Sequence, residues 1–191
     1  MARPTPPTPL VTQTDSGDMI RWDDCHPAST AMAIFRATKG AKKITWKPIR
    51  AAMAKRGIYD VPNVANPTNE PQNIVAALDV APEIAGQIVT NPSWTWVKAN
   101  LINGGGYVCL FWYDALPSRF VEKHSGTRQY GHACFVESDG KQALWYDPLR
   151  PKGSTPKPMT WAELKRLAHW GTGKNNAQTA RPVGWSVKPK K

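Results

Sequence analysis

Three residues of this chain have the types and surroundings that covalent chemistry needs. Cys25 stands in "WDDCHPASTAMAIF", just before Pro27, where a run of small and apolar residues begins. The amino end of a helix carries roughly half a positive charge, which favours thiolate, the nucleophilic form of cysteine. Such a nucleophile needs a base, usually histidine, and a group that holds the imidazole in the right tautomer. His132 opens the stretch "GHACFVES" and Asp147 closes "QALWYDPL". If Asp139-Gly140 turns a hairpin between them, the start of one strand lies beside the end of its partner. His132 and Asp147 then become neighbours through antiparallel pairing alone. Spacing does not connect Cys25 to that pair.

The bland readings are specific too. A lone cysteine before a helix is usually structural. Cys109 in "GYVCLFWY" and Cys134 in "GHACFV" sit in strand-like apolar runs, where core packing is the default role. Three cysteines without regular spacing argue against a disulfide framework. Cys25, His26, His132 and Cys134 have the types of zinc ligands but not a usual zinc spacing, so no metal and no cofactor are expected. His124, in "EKHSGTRQ", reads as a loop residue, and His169, beside Trp170, as packing.

The elements that must position the three residues are legible in outline. "PASTAMAIFRATKG" reads as a helix with Pro27 in its first turn and Gly40 at its end, buried on most sides. "TWKPIRAAMAKRG" is a second helix, and "GIYDVPNVANPTNEP" a loop followed by a short helix in "QNIVAALDV". "SWTWVKANLINGGG" is amphipathic, with Trp94, Val97, Leu101 and Ile102 expected on one face. Strands follow in "GYVCLFWYDAL", "GHACFVES" and "QALWYDPL". "MTWAELKRLAHW" carries a capping box, Thr160 and Glu163; "GTGKNNAQTARP" is loop and "GWSVKP" a last strand. Helices precede antiparallel strands, an α+β layout.

The chain has 191 residues, which suits one domain with a real core. Residues 1–18 are rich in proline and threonine and read as an extended arm that needs a surface to lie on; residues 19–191 form the domain and end in a basic tail. No apolar run approaches the roughly 20 residues of a membrane span, and the amino terminus has no apolar signal core. Synthesis in the cytoplasm without a secretion signal is expected. The net charge of +11 points to a polyanionic neighbour, with cell-wall polymer, lipid and nucleic acid as candidates. The basic residues are spread out rather than clustered with aromatics, so nucleic acid is not the favoured partner, and a generally basic surface is the competing reading.

Taken in order, three stretches resemble papain-like cysteine peptidases, and most of all the branch of bacteriocin leader-processing peptidases with their phage and bacterial relatives. "DDCHPASTAMA" resembles that family's Asp-Cys-Gly-Pro-Ala segment opening the central helix, "GHACFVES" its histidine-led strand, and "ALWYDPL" its strand ending in Asp-Pro. The resemblance runs from Trp22 to Leu149. It implies a helical first half whose central helix starts at the cysteine and packs on an antiparallel sheet. It also implies Cys25 as nucleophile, His132 as general base and acid, and Asp147 as orienter. Two positions depart from the pattern. Met19 stands where the family has an oxyanion-binding glutamine, which leaves the Cys25 N–H with Gln13 or Asp24 as candidate donors. His26 stands where it has glycine, and with Trp22 is a candidate substrate contact. Asp23 and Asp24 oppose a thiolate unless one of them caps the helix.

The expected activity is hydrolysis of peptide bonds, with the peptide part of bacterial cell wall as substrate and a phage endolysin or tail-associated lysin as context, acting at the wall or in a virion. The alternatives are a peptidase that processes a protein precursor, and a virion structural or binding protein that keeps the fold without catalysis.

Overall fold

The computed structural model describes residues 6–13, 24–56, 75, 78–112, 116–121, 131–167 and 184–189. Trp22, Met19, Asp23, His124 and His169 lie outside them, as do the expected loop after the second helix and the loop before the last strand.

Six strands form one antiparallel sheet in the order β1-β6-β2-β3-β4-β5. They are β1 (Ile88–Thr90), β2 (Gly106–Trp112), β3 (Gly131–Ser138), β4 (Ala143–Tyr146), β5 (Lys157–Met159) and β6 (Gly184–Val187). The helices are α1 (Cys25–Ala37), α2 (Trp46–Lys55), α3 (Trp94–Ile102) and α4 (Trp161–Leu167), with short 3₁₀ turns at Leu78–Val80, Pro82–Gln87 and Ser118–Phe120. The α+β layout and the antiparallel sheet match the expected papain-like fold.

The sheet separates two cores because successive strand residues point to opposite faces. Val108, Leu110, Ala133, Phe135, Tyr146 and Trp185 face α1 and α2, where they meet Met32, Ile34, Ile49 and Met53. Tyr107, Cys109, Phe111, Cys134, Val136 and Trp145 face the other way, against Val97 and Leu101 of α3 and Leu164 and Leu167 of α4. Burying each large apolar side chain contributes about 1.5–3 kcal/mol, so both faces matter to stability.

Helix α1 is buried along its length except at Arg36. It starts at Cys25, before the Pro27 turn, because Asp24 O accepts the Ala28 N–H at 3.1 Å and so closes the first turn. Ser29 Oγ donates to Ala133 O at 3.0 Å, which fastens the first turns of α1 to β3 beside His132. The β3–β4 hairpin turns where the Asp-Gly pair predicts. Asp139 Oδ1 accepts from the N–H groups of Lys141 and Gln142 at 2.8 and 3.0 Å, and Gly140 takes a φ of +93°. The capping box also forms: Glu163 Oε2 accepts the Thr160 N–H at 2.9 Å and Thr160 Oγ1 accepts the Glu163 N–H at 3.3 Å.

Two local readings need correction. Ile102 is not on the buried face of α3 but 49% exposed, because it is one residue and about 100° beyond Leu101; Asn100 is buried in its place and donates to Val187 O at 2.9 Å. Strands β1 and β5 were not legible. Each is three residues long and sits at a sheet edge, and β5 holds Pro158, which an edge tolerates because no ladder N–H is needed there. Of the expected short helix in "QNIVAALDV", residue 75 is helical and Leu78–Val80 form a 3₁₀ turn, the remainder lying outside the described residues.

The described part of the amino-terminal arm, residues 6–13, lies on the body of the protein. Leu10 and Val11 pack against the α1 core, and Thr8 Oγ1 donates to Glu137 Oε2 at 2.6 Å. Near the hairpin, the Gln13 N–H donates to Pro148 O at 3.0 Å.

Candidate active site

His132 and Asp147 meet as the hairpin geometry predicts. The register pairs Phe135 with Tyr146, so the start of β3 passes the residue that follows β4. His132 Nε2–H donates to Asp147 Oδ1 at 2.8 Å, and the Leu149 N–H donates to the same oxygen at 2.9 Å. With Nε2 donating, the lone pair of the neutral ring lies on Nδ1. The Phe111 ring stands edge-on to the imidazole, with centroids 5.6 Å apart, and fixes its plane.

Tertiary packing brings Cys25 to this pair. Its side chain is hydrogen-bonded to His132. Burial works against a charged imidazole, but the charges of Asp147 and Cys25 and the hydrogen bonds from both outweigh it, and the His132 pKa is pushed up to about 10. The pair therefore favours imidazolium, the partner a thiolate needs. Cys25 is the first residue of α1, so it sits at the positive end of the helix dipole.

The neighbouring acids are arranged differently from the expectation. Asp24 does not cap α1: its backbone is helical and its side chain makes no cap bond. It is instead paired with Arg50 of α2, with Nη1 3.4 Å from Oδ1. This cation offsets the carboxylate beside Cys25. As a paired carboxylate, Asp24 has no proton to donate to an oxyanion. Gln13 is buried next to Pro148, with its Oε1 lacking a partner.

His26 lies 9% exposed at the same helix end, with Nδ1 lacking a hydrogen-bond partner. Burial, then the charge of His132, lowers its pKa to about 4, so it is neutral near pH 7. Trp22, the other expected substrate contact, lies outside the described residues.

Cys134 is the residue whose ligand type the sequence offers without a usual zinc spacing. It was read as core packing, and it is fully buried. Yet it follows His132 by two positions on β3 and so shares its face. Donor atoms of His132, Cys134 and Asp147 all lie within 4.8 Å of one another. The period-two alternation of a strand carried that signal. Burial, then the negative charges of Asp147 and Cys25, raise the Cys134 thiol well above its usual range, and burial raises Cys109 likewise. Both are therefore poor nucleophiles.

No family model and no curated protein matches this chain. Among solved structures it is similar to a chain from Bacillus anthracis described as a C39-like peptidase, with a TM-score of 0.53 and 14% identity, over 96% of this chain and 95% of that one. The shared feature is the fold, and it extends over nearly the whole of both chains.

Proposed function

We propose that this protein is a papain-like cysteine peptidase or amidase in which Cys25 attacks, His132 shuttles the proton and Asp147 orients the imidazole. The observation that carries this reading is that His132 is hydrogen-bonded to both partners, with its Nε2 2.8 Å from the Asp147 carboxylate and its ring bonded to the Cys25 thiol. The fold shared with a chain described as a C39-like peptidase supports it.

The thiolate adds to the carbonyl carbon of a peptide link, and the oxyanion is met by the Cys25 N–H at the positive end of α1. His132 then gives its proton to the leaving amine, and a thioester remains. Water, deprotonated by His132, attacks the thioester and restores Cys25. Asp147 holds the ring throughout and stabilises its charged form.

For substrate, the proposal is the peptide part of bacterial cell wall, in the setting of a phage or bacterial lysin. It rests on the +11 charge, which draws the protein toward an anionic polymer. A second reading, a papain-fold protein without catalysis, is favoured by one observation: Cys25, His132 and Asp147 are exposed by 1%, 2% and 1%, so the described site is closed.

Purified walls incubated with wild type and Cys25→Ala separate these readings. Release of new amino groups by wild type alone, with no new reducing sugars, supports the peptidase, since a thiolate lacks the paired carboxylates of glycoside hydrolysis. Binding without release supports the structural reading. Absence of binding at low salt directs attention to protein precursors as substrate.

A further inference from the structure

Cys134 has no part in the acyl-transfer chemistry, yet it adds a third donor type to the histidine and carboxylate. We propose that His132, Cys134 and Asp147 form a site for a zinc-like divalent cation, and that its occupancy switches the peptidase off. Binding itself does not depend on the peptidase reading; the inhibitory consequence rests on it.

The geometry is the first support. One nitrogen, one sulfur and one oxygen ligand lie within 4.8 Å of one another, on residues exposed by 2%, 0% and 1%. Donors on a tetrahedral zinc ion, at bond lengths of about 2.0–2.3 Å, stand roughly 3.3–3.8 Å apart. Closing the site onto an ion therefore takes side-chain movements of about 1 Å. The mixed N, S and O set suits zinc and cobalt better than the hard cations magnesium or calcium, which prefer oxygen alone.

The second support is an unpartnered group. Asp147 Oδ1 takes both hydrogen bonds, from His132 and Leu149, while Oδ2 is buried and accepts none. A buried carboxylate oxygen without a partner is costly, and a cation removes that cost. Water completes the coordination of an ion held by these three side chains.

The proton balance explains the inhibition. Bonds form from the metal to Cys134 Sγ, His132 Nε2 and an Asp147 oxygen. The Cys134 S–H bond breaks and its proton leaves to solvent. The imidazolium loses its Nε2 proton to solvent and keeps the hydrogen on Nδ1, so the metal-bound ring is neutral. Nδ1 then carries a hydrogen and no longer accepts the proton of Cys25. No electron is transferred.

The test uses the full chain treated with chelator and titrated with Co²⁺, then Zn²⁺, for wild type, Cys134→Val, Cys134→Ala and Cys25→Ala, with circular dichroism to show that each is folded. Wild type should take up one Co²⁺ with a near-ultraviolet thiolate charge-transfer band and tetrahedral ligand-field absorption, both lost when Zn²⁺ displaces it. Each folded Cys134 variant should bind about tenfold or more weakly. Cys25→Ala should keep a charge-transfer band. No band in wild type, or an undiminished band in folded Cys134 variants, overturns the proposal. In the activity arm, Zn²⁺ should stop wild-type turnover reversibly, and the Cys134 variants should need about tenfold or more Zn²⁺ for the same fractional loss. If metal-free wild type shows no turnover, the peptidase reading fails while the absorption bands still decide whether the site exists.

Discussion

The His132 imidazole is hydrogen-bonded both to Asp147, 2.8 Å from Nε2, and to the Cys25 thiol, a contact that joins the start of α1 to the start of β3. Cys25→Ala is expected to abolish turnover with little loss of fold. Asp147→Asn should retain part of the activity, since an amide oxygen still orients the ring, and Asp147→Ala should retain less. His132→Ala should stop turnover and slow alkylation of Cys25. Turnover rates and alkylation kinetics measure all four, and unchanged turnover in His132→Ala would show that the base is a different residue.

Alkylation also separates the three cysteines. Iodoacetamide near neutral pH should modify Cys25 first: all three cysteines are buried, but Cys25 is hydrogen-bonded to His132 at a helix start, while burial pushes the Cys109 and Cys134 thiols up. Peptide mass mapping at short reaction times reads the order. Equal labelling of all three would remove the case for an activated Cys25.

Arg50 offsets the carboxylate of Asp24 beside Cys25. Arg50→Gln leaves that charge uncompensated, so Cys25 alkylation at pH 7 should slow by about threefold or more. The stability loss should be about 1–2 kcal/mol, below that of a fully buried pair because Arg50 is 21% exposed. Arg50→Lys should restore most of the alkylation rate. A rate in Arg50→Gln equal to wild type would show that Asp24 does not act on the thiol.

The two histidines predict opposite limbs of a stability profile in chelator-treated protein. His26 falls to about 4 in the fold, so between pH 4 and 6.5 the unfolded chain binds more protons and stability rises with pH. His132 rises to about 10, so between pH 6.5 and 10 the folded chain binds more protons and stability falls as pH rises. Each limb has a slope of up to about 1.4 kcal/mol per pH unit. Urea midpoints should peak near pH 6.5, with the acid limb flattened in His26→Asn and the alkaline limb, read below pH 9 to avoid the buried thiols, flattened in His132→Asn. A profile that His26→Asn leaves unchanged would contradict the burial of a neutral ring.

Thr8 joins the arm to a buried cluster in which Glu137 also accepts from Tyr146 at 2.6 Å and pairs with Arg36 at 3.4 Å. Thr8→Val removes one donor to a buried carboxylate and should cost about 1–3 kcal/mol in denaturant unfolding. An unchanged midpoint would mean that the arm is not held there in solution.

How much of this was legible depends on the range of the interactions. Residues 25–37, 46–55 and 94–102 carry helical signals in their own composition, and the Thr160–Glu163 box and the Asp139-Gly140 turn are chemistry within four residues. The contact between His132 and Asp147 was readable for the same reason. They are fifteen residues apart in one hairpin, and a turn fixes the register of the strands it joins. Cys25 is different. Its approach to His132 depends on α1 packing across β3, and the loop-closure path between them carries no local pattern. Asp24 pairing with Arg50, Thr8 reaching Glu137 and Gln13 reaching Pro148 are of that kind as well. Edge strands β1 and β5 were hidden because three-residue strands are specified by the neighbour they pair with, and Ile88 finds Val187 at the far end of the chain. Residue types and local periodicity thus determined which side chains are competent for chemistry and which elements carry them. Only the packing of distant elements decided which of those side chains meet, because buried contacts are selected by the shape and area of both surfaces rather than by either segment alone.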